Sequence, residues 1–322
     1  MFLSNIFKRN GIGQALVILL VAAAMWVPAF VSPVVPAATD HFAPIYNLIC
    51  GWLSATPILS SVIALLLVIA EGLWINVILY NFKLSRTGSL MPLLLSIVAM
   101  SWRTSYLTLT PMLLANIAII AACRQLLSSG SLSMQVPKIF NATFCIGMAA
   151  MCYMPALCYA IPFLFVVILY KMYRWRDIAA AILGLTAPCI ILFVYAFMTD
   201  RLDYYLLLIF ADFNNLQFRI DTMTTLSLIR DIVFILLLLA SLTSQLTSMG
   251  DNMIHQRINT GILTLPLLAA LVLMLDSICI PVDTISMSIP FCFVTTRFLY
   301  IERKRAWINE VLFWLIQIIA IV

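Results

Sequence analysis

The sequence predicts an all-α fold, a polytopic transmembrane helical bundle of about eleven helices forming one membrane domain over residues 1–322. Three observations carry that prediction. The chain is 64% hydrophobic and 10% charged, with a mean hydropathy of +1.10, whereas soluble domains carry about 25% charged residues. Apolar runs recur between short basic clusters, and the longest, 139–170, holds 32 residues without Asp, Glu, Lys or Arg. A run of about 20 apolar residues suffices to cross hydrocarbon. Finally, Lys and Arg concentrate in alternate connections, as the positive-inside rule requires of a multi-pass protein.

Lys8 and Arg9 set the N-terminus in the cytoplasm, and a first span over 12–31 leads outward. That start also has the pattern of a signal peptide, with Val35-Pro36-Ala37 as a cleavage-like site. The run exceeds the usual apolar core of about 7 to 15 residues and many spans follow, so a retained helix is expected. The loop through Asp40 and His41 is then outside, and a second span over 57–80 returns to Lys83 and Arg86. A short pair, 88–101 and 105–123, is tipped by Trp102-Arg103 and ends at Arg124.

The uncharged run 139–170 follows. It is too long for one ordinary span of at most about 25 residues and too short for two full spans with a turn. Pro155 and Pro162 interrupt it. A single span would put Lys171, Arg174 and Arg176 outside, so a second short hairpin is expected. A span over 178–198 then exits to a long outer segment, 199–229. Four more spans are read at 230–247, 260–275, 286–301 and 306–322.

In this arrangement 13 of the 18 Lys and Arg lie inside, every lysine among them, and eight of the 13 acids lie outside or at the outer edge. The net charge of +5 is therefore a matter of topology, and nucleic acid is not an expected partner. The eight cysteines show no C-x-x-C pair, and seven sit in apolar runs, where Cys acts as a small hydrophobe. Cys145, Met148, Met151, Cys152, Met154 and Cys158 cluster in one hairpin; soft sulfur suits Cu(I), but packing accounts for the spacing. Asn141-Ala142-Thr143 matches a glycosylation acceptor at a cytoplasmic edge, where it has no use. No Walker loop, G-x-S-x-G, H-E-x-x-H or dinucleotide fingerprint occurs. No cofactor and no metal are expected.

Ionisable groups at membrane depth are the first functional candidates, since each costs about 2.5 to 3.5 kcal/mol at a helix centre. Only 37 residues lie between Arg86 and Arg124, and two full spans with a turn need about 42. The tip bearing Arg103 should therefore sit at or below the outer interface. There a guanidinium can fork to phosphate or carboxylate oxygens, or simply snorkel beside Trp102. Glu71 lies mid-span with no positive residue one turn away, so it is protonated or paired with another helix. Arg297 lies one turn from a cytoplasmic end, where snorkelling is easy.

The segment 199–229 is the most polar of the chain, with Asp200, Arg201, Asp203, Asp212, Asn214, Asn215, Gln217, Arg219 and Asp221. Its apolar insert, 206–210, is too short to span and should lie along the outer interface. Such residues suit a hydroxyl-rich or phosphorylated ligand, or merely a solvated loop. Asp40 and His41 in the first outer loop offer a general base and its neighbour.

Trp74-Ile75-Asn76, Met91-Pro92, Pro111-Met112-Leu113-Leu114-Ala115-Asn116, Tyr173-Arg174-Trp175-Arg176-Asp177 and Gly184 through Pro188 carry a resemblance. Over about residues 60–200 the chain resembles a family of uncharacterised bacterial multi-pass membrane proteins. That resemblance implies a bacterial inner-membrane location and no chemistry. The architecture also resembles integral-membrane glycosyltransferases that use polyprenyl-phosphate sugars. In those enzymes an essential acid sits in the first outer loop, where this chain has Asp40. It departs from them in lacking a large outer domain and a paired acidic motif beside Asp40.

The expected function is action at the outer face on a lipid-linked, phosphorylated or glycan substrate. Arg103, Arg201, Arg219 and Arg230 would hold phosphate, and Asp40 and Asp200 would supply acid–base chemistry. Two alternatives stand beside it, a transporter with Glu71 as the coupling group and a structural subunit of an envelope complex. Membrane lipids, a lipid-linked glycan or phosphate, and other envelope proteins are the corresponding partners.

Overall fold

A computed structural model of the chain describes residues 12–36, 38–39, 41–82, 90–101, 107–128, 136–169, 175–214 and 292. Among these residues every regular element is helical and no strand occurs. Nine α-helices are described: α1 (Ile12–Val31), α2 (Pro44–Leu53), α3 (Pro57–Asn81), α4 (Met91–Met100), α5 (Pro111–Ser128), α6 (Val136–Cys152), α7 (Ala160–Leu169), α8 (Trp175–Met198) and α9 (Leu202–Asn214). A 3₁₀ turn, Met154–Tyr159, joins α6 to α7. Four helices are long and apolar enough to cross a membrane: α1, α3, α5 and α8. The spans expected beyond residue 229 lie outside the described residues.

Proline marks the helix starts. Pro44, Pro57 and Pro111 open α2, α3 and α5, and Pro92 lies in the first turn of α4. Proline fits there because the first N–H groups of a helix have no partner within it and its φ is already helical. The same preference breaks the uncharged run: Pro155 falls at the 3₁₀ turn after Cys152, so the run forms two helical pieces. In α8, Pro188 has no N–H to offer the Gly184 carbonyl one turn earlier.

Side-chain bonds give the relative directions. Gln14 Oε1 accepts the Leu90 N–H at 3.0 Å, and Trp26 Nε1 donates to Ser101 Oγ at 2.8 Å. Both starts meet and both ends meet, so α1 and α4 run parallel. Gln14 to Trp26 rises about 18 Å and Leu90 to Ser101 about 16 Å, so the two bonds fit one straight pairing. All ten residues of α4 are buried. A helix of about 15 Å cannot cross hydrocarbon, so α4 is a short element enclosed by longer ones.

The packing of α6 on α8 shows how these helices adhere. Lipid tails are as apolar as leucine, so close backbone approach must replace hydrophobic drive. A Cβ on Gly184 would lie 2.5 Å from the Phe140 carbonyl and would also strike Thr143 Oγ1. A Cβ on Gly147 would lie 2.6 Å from the Leu185 carbonyl. Gly184 of α8 thus meets the first turns of α6, Gly147 of α6 meets Leu185 and Pro188 further along α8, and Met151 shares a cluster with Leu192. The two helices therefore run parallel, and the 3₁₀ turn with α7 supplies the return between them. At the end where α6 begins, Lys138 Nζ donates to the Ser128 carbonyl at 2.8 Å, which closes α5 onto α6.

One end of the bundle gathers α2, residues 107–110, the 3₁₀ turn and α9. Tyr46 Oη donates to the Leu109 carbonyl at 3.2 Å. Burial lifts the Tyr46 phenol above its ordinary range, so it serves there as a neutral donor. This is called the α2 end below.

Candidate functional site

At the α2 end the loop before α2 folds onto its own helix. Thr39 donates to Asn47 Oδ1 through its N–H at 3.0 Å and its hydroxyl at 3.2 Å, and Asn47 Nδ2 donates back to the Thr39 carbonyl at 3.1 Å. Tyr46, Cys50 and Leu53, spaced four and three apart, form the buried face of α2. Leu48 and Trp52 point away from it and are exposed. This is the two-faced pattern of a helix lying along an interface.

Asp212 on α9 then fastens that loop from 171 residues away. His41 Nδ1 donates to Asp212 Oδ1 at 2.7 Å, and the Phe42 N–H donates to Asp212 Oδ2 at 2.8 Å. Both carboxylate oxygens are engaged, and Asp212 is 5% exposed. Phe42 seals the bond from below, packed with Met151 and Leu192 and edge-on to Tyr205 at 6.3 Å between ring centroids. The His41 side chain is 41% exposed. With Nδ1 held, Nε2 is the ring nitrogen left without a partner among the described residues, and the ring cannot turn without breaking the carboxylate bond. A carboxylate that fixes an imidazole in this way sets it up for proton transfer at the free nitrogen.

The interior holds a different polar group. Glu71 lies on the buried stripe of α3 with Ala64, Val68 and Ile75, spaced three and four apart. It is 1% exposed, and neither carboxyl oxygen has a hydrogen-bond partner among the described residues. Asn116 on α5 and Ser60 on α3 are likewise buried with unmet side-chain atoms. Gly72 lets α4 approach: a Cβ there would lie 2.7 Å from Leu93 Cδ1 and would strike Ser96 Oγ. Cys292, fully buried, lies within electrostatic range of Glu71.

Of the residues singled out in the sequence, Asp40, Arg103, Arg219 and Arg230 lie outside the described residues, as does Arg297. Asp200 and Arg201 are exposed and end α8. Asp200 has φ 51° and its N–H donates to the Phe197 carbonyl at 3.3 Å, while the Arg201 N–H donates to the Ala196 carbonyl at 2.9 Å. That is a Schellman cap, with Asp200 at the left-handed position, so the expected catalytic acid has a structural task. Glu71 is buried, as its mid-span place implies. His41 was legible only as the neighbour of Asp40, and Asp212 only as one of several outer acids. The contact between them has no local sequence signal. Among the described residues no group of His, Cys, Asp and Glu is arranged to hold a metal.

No protein-family model matches the chain, and neither a curated protein nor a solved structure is detectably similar to it.

Proposed function

We propose that this chain acts at the outer face of a bacterial inner membrane on a lipid-linked, phosphorylated or glycan substrate, in the manner of polyprenyl-phosphate-sugar glycosyltransferases. In this reading the N-terminus is cytoplasmic, about eleven helices cross or enter the membrane, and the α2 end faces outward. The observation that carries it is the His41–Asp212 pair. It joins the first loop, immediately after Asp40, to α9, and it leaves the imidazole partly exposed with one nitrogen unpartnered among the described residues. Most described charges suit that orientation, with Arg124, Lys138 and Arg176, and also Asp177, toward one end and Asp200, Asp203 and Asp212, and also Arg201, toward the other. Here His41 relays the proton, Asp40 supplies the acid, and Arg103, Arg219 and Arg230 hold phosphate.

The test begins with reporter fusions. Arg124 and Arg176 should report cytoplasm, and Asp40 and Gln217 the outside. Phosphorylated lipid that co-purifies with the wild-type chain should be lost from Arg103→Ala and reduced in Arg103→Lys, which keeps charge but not the fork. Unchanged lipid in both would remove the phosphate-binding part of the proposal. The second reading, a transporter coupled through Glu71, is favoured by one observation, a buried carboxyl without a partner among the described residues, beside a short buried helix. Short or interrupted helices of this kind surround the ion sites of many carriers.

A further inference from the structure

We propose that Glu71 is the anionic ligand of an exchangeable monovalent-cation site, for a proton or sodium, enclosed between α3 and α4. The inference stands apart from the outer-face reading and depends on Glu71 alone.

Three features of the interior support it. A carboxyl placed in an apolar core for structure finds a donor, because an unmet polar group there is costly. Among the described residues both oxygens of Glu71 are unmet. None of the described side chains on the elements packed against α3 is a buried cation. α1 and α4 carry no titratable side chain, α2 brings Tyr46 and Cys50, α5 brings Cys123 and the exposed Arg124, and Cys292 adds a thiol.

The second feature is the neighbouring oxygen. Ser96 Oγ lies against Gly72, one residue from Glu71, and donates to its own Leu93 carbonyl at 2.8 Å. Its lone pairs are thereby left free as acceptors. The carboxyl is a hard oxygen donor, and the Ser96 hydroxyl adds an oxygen acceptor to the same α3–α4 contact. The third feature is the small number of such oxygens among the described residues. Calcium requires about six to eight oxygens and magnesium a near-ideal octahedron, so neither fits, whereas a proton or a sodium ion does.

The experiment uses the full chain in detergent and dicyclohexylcarbodiimide as the probe. The reagent adds the O–H of a protonated carboxyl across one C=N bond, and the acyl group then migrates to nitrogen as a stable N-acylurea. Mass spectrometry of the peptide containing Glu71 reads the modification. A proton site predicts strong labelling in mildly acidic buffer that falls severalfold in alkaline buffer, whatever the salt. A sodium site predicts labelling in choline chloride that sodium chloride suppresses severalfold. Glu71→Gln should lose the mark on that peptide in either case. An unlabelled Glu71 at every pH overturns the proposal, because the site does not exchange. Labelling that ignores both pH and sodium overturns it equally.

Discussion

The α2 end and the bundle interior treat a carboxylate in opposite ways. Asp212 has both oxygens engaged, one by His41 and one by the Phe42 N–H, and so ties the first loop to α9. Glu71 is more deeply enclosed yet has no hydrogen-bond partner among the described residues. Hydrogen bonds to a charged group stabilise by about 1.5–3 kcal/mol each, while an unmet buried polar atom costs about 1–3 kcal/mol. The first carboxylate therefore holds structure together and the second detracts from it. The comparison separates a joint that also positions a histidine from a buried carboxyl that adds nothing to the fold's hydrogen bonding.

The largest effect should come from breaking the joint. Asp212→Ala removes two acceptors and leaves the buried Phe42 N–H unmet, a local loss of about 3 kcal/mol. Hydrogen exchange should speed markedly through residues 38–47 while α6 and α8 stay protected. Asp212→Asn keeps one carbonyl oxygen and should show a milder change. Unchanged exchange in both variants would mean that the loop is held by Phe42 packing and not by the carboxylate.

Next comes the wall of the interior site. Gly72→Leu places carbon where Ser96 and Leu93 already sit, and overpacking of this kind costs about 1–3 kcal/mol. The melting temperature in detergent should fall, and carbodiimide labelling of Glu71 should rise as α4 is pushed away. A drop in stability without greater labelling would separate the α3–α4 contact from access to the carboxyl.

The carboxyl itself should show a gain. Glu71→Met removes the unmet oxygens and fills similar volume, which should stabilise by about 1 kcal/mol. Glu71→Gln should leave expression intact. If Met destabilises as much as a broken ion pair would, Glu71 has a permanent cationic partner, and the contrast with Asp212 disappears.

Much of this fold was legible because hydrocarbon imposes a length and proline imposes a start. The predicted spans 12–31, 57–80 and 178–198 correspond to Ile12–Val31, Pro57–Asn81 and Trp175–Met198. Of the expected short pair, Met91–Met100 is short, but Pro111–Ser128 is long enough to cross a membrane, and the Pro-interrupted run is broken after Cys152. Helix α2 was not read, although Pro44 at its start and the Tyr46, Cys50, Leu53 spacing were both available. Ten residues are too few to register as a span. The joint was not legible either, since nothing local links His41 to Asp212. The burial of Glu71 followed from its sequence position, but its lack of a partner is a tertiary fact.

The smallest predicted effect sharpens the contrast at the rim of the α2 end. As an outer acid Asp200 invites a catalytic reading, yet its φ of 51° and the two backbone bonds of the cap give it a conformational role. A side chain in the left-handed region costs about 1–2 kcal/mol for most residues, less for Asp, and nothing for Gly. Asp200→Gly should thus raise stability slightly, by about 0.5 kcal/mol after the greater freedom of glycine in the unfolded chain is counted. Asp200→Val, which is branched at Cβ, should lower it. The rank order Gly, Asp, Val in melting temperature, with co-purifying phosphorylated lipid unchanged in the Gly variant, marks a cap. Loss of that lipid in Asp200→Gly at undiminished stability would return Asp200 to the substrate site. His41 and Asp212 would then no longer be the sole described acid–base pair at that face.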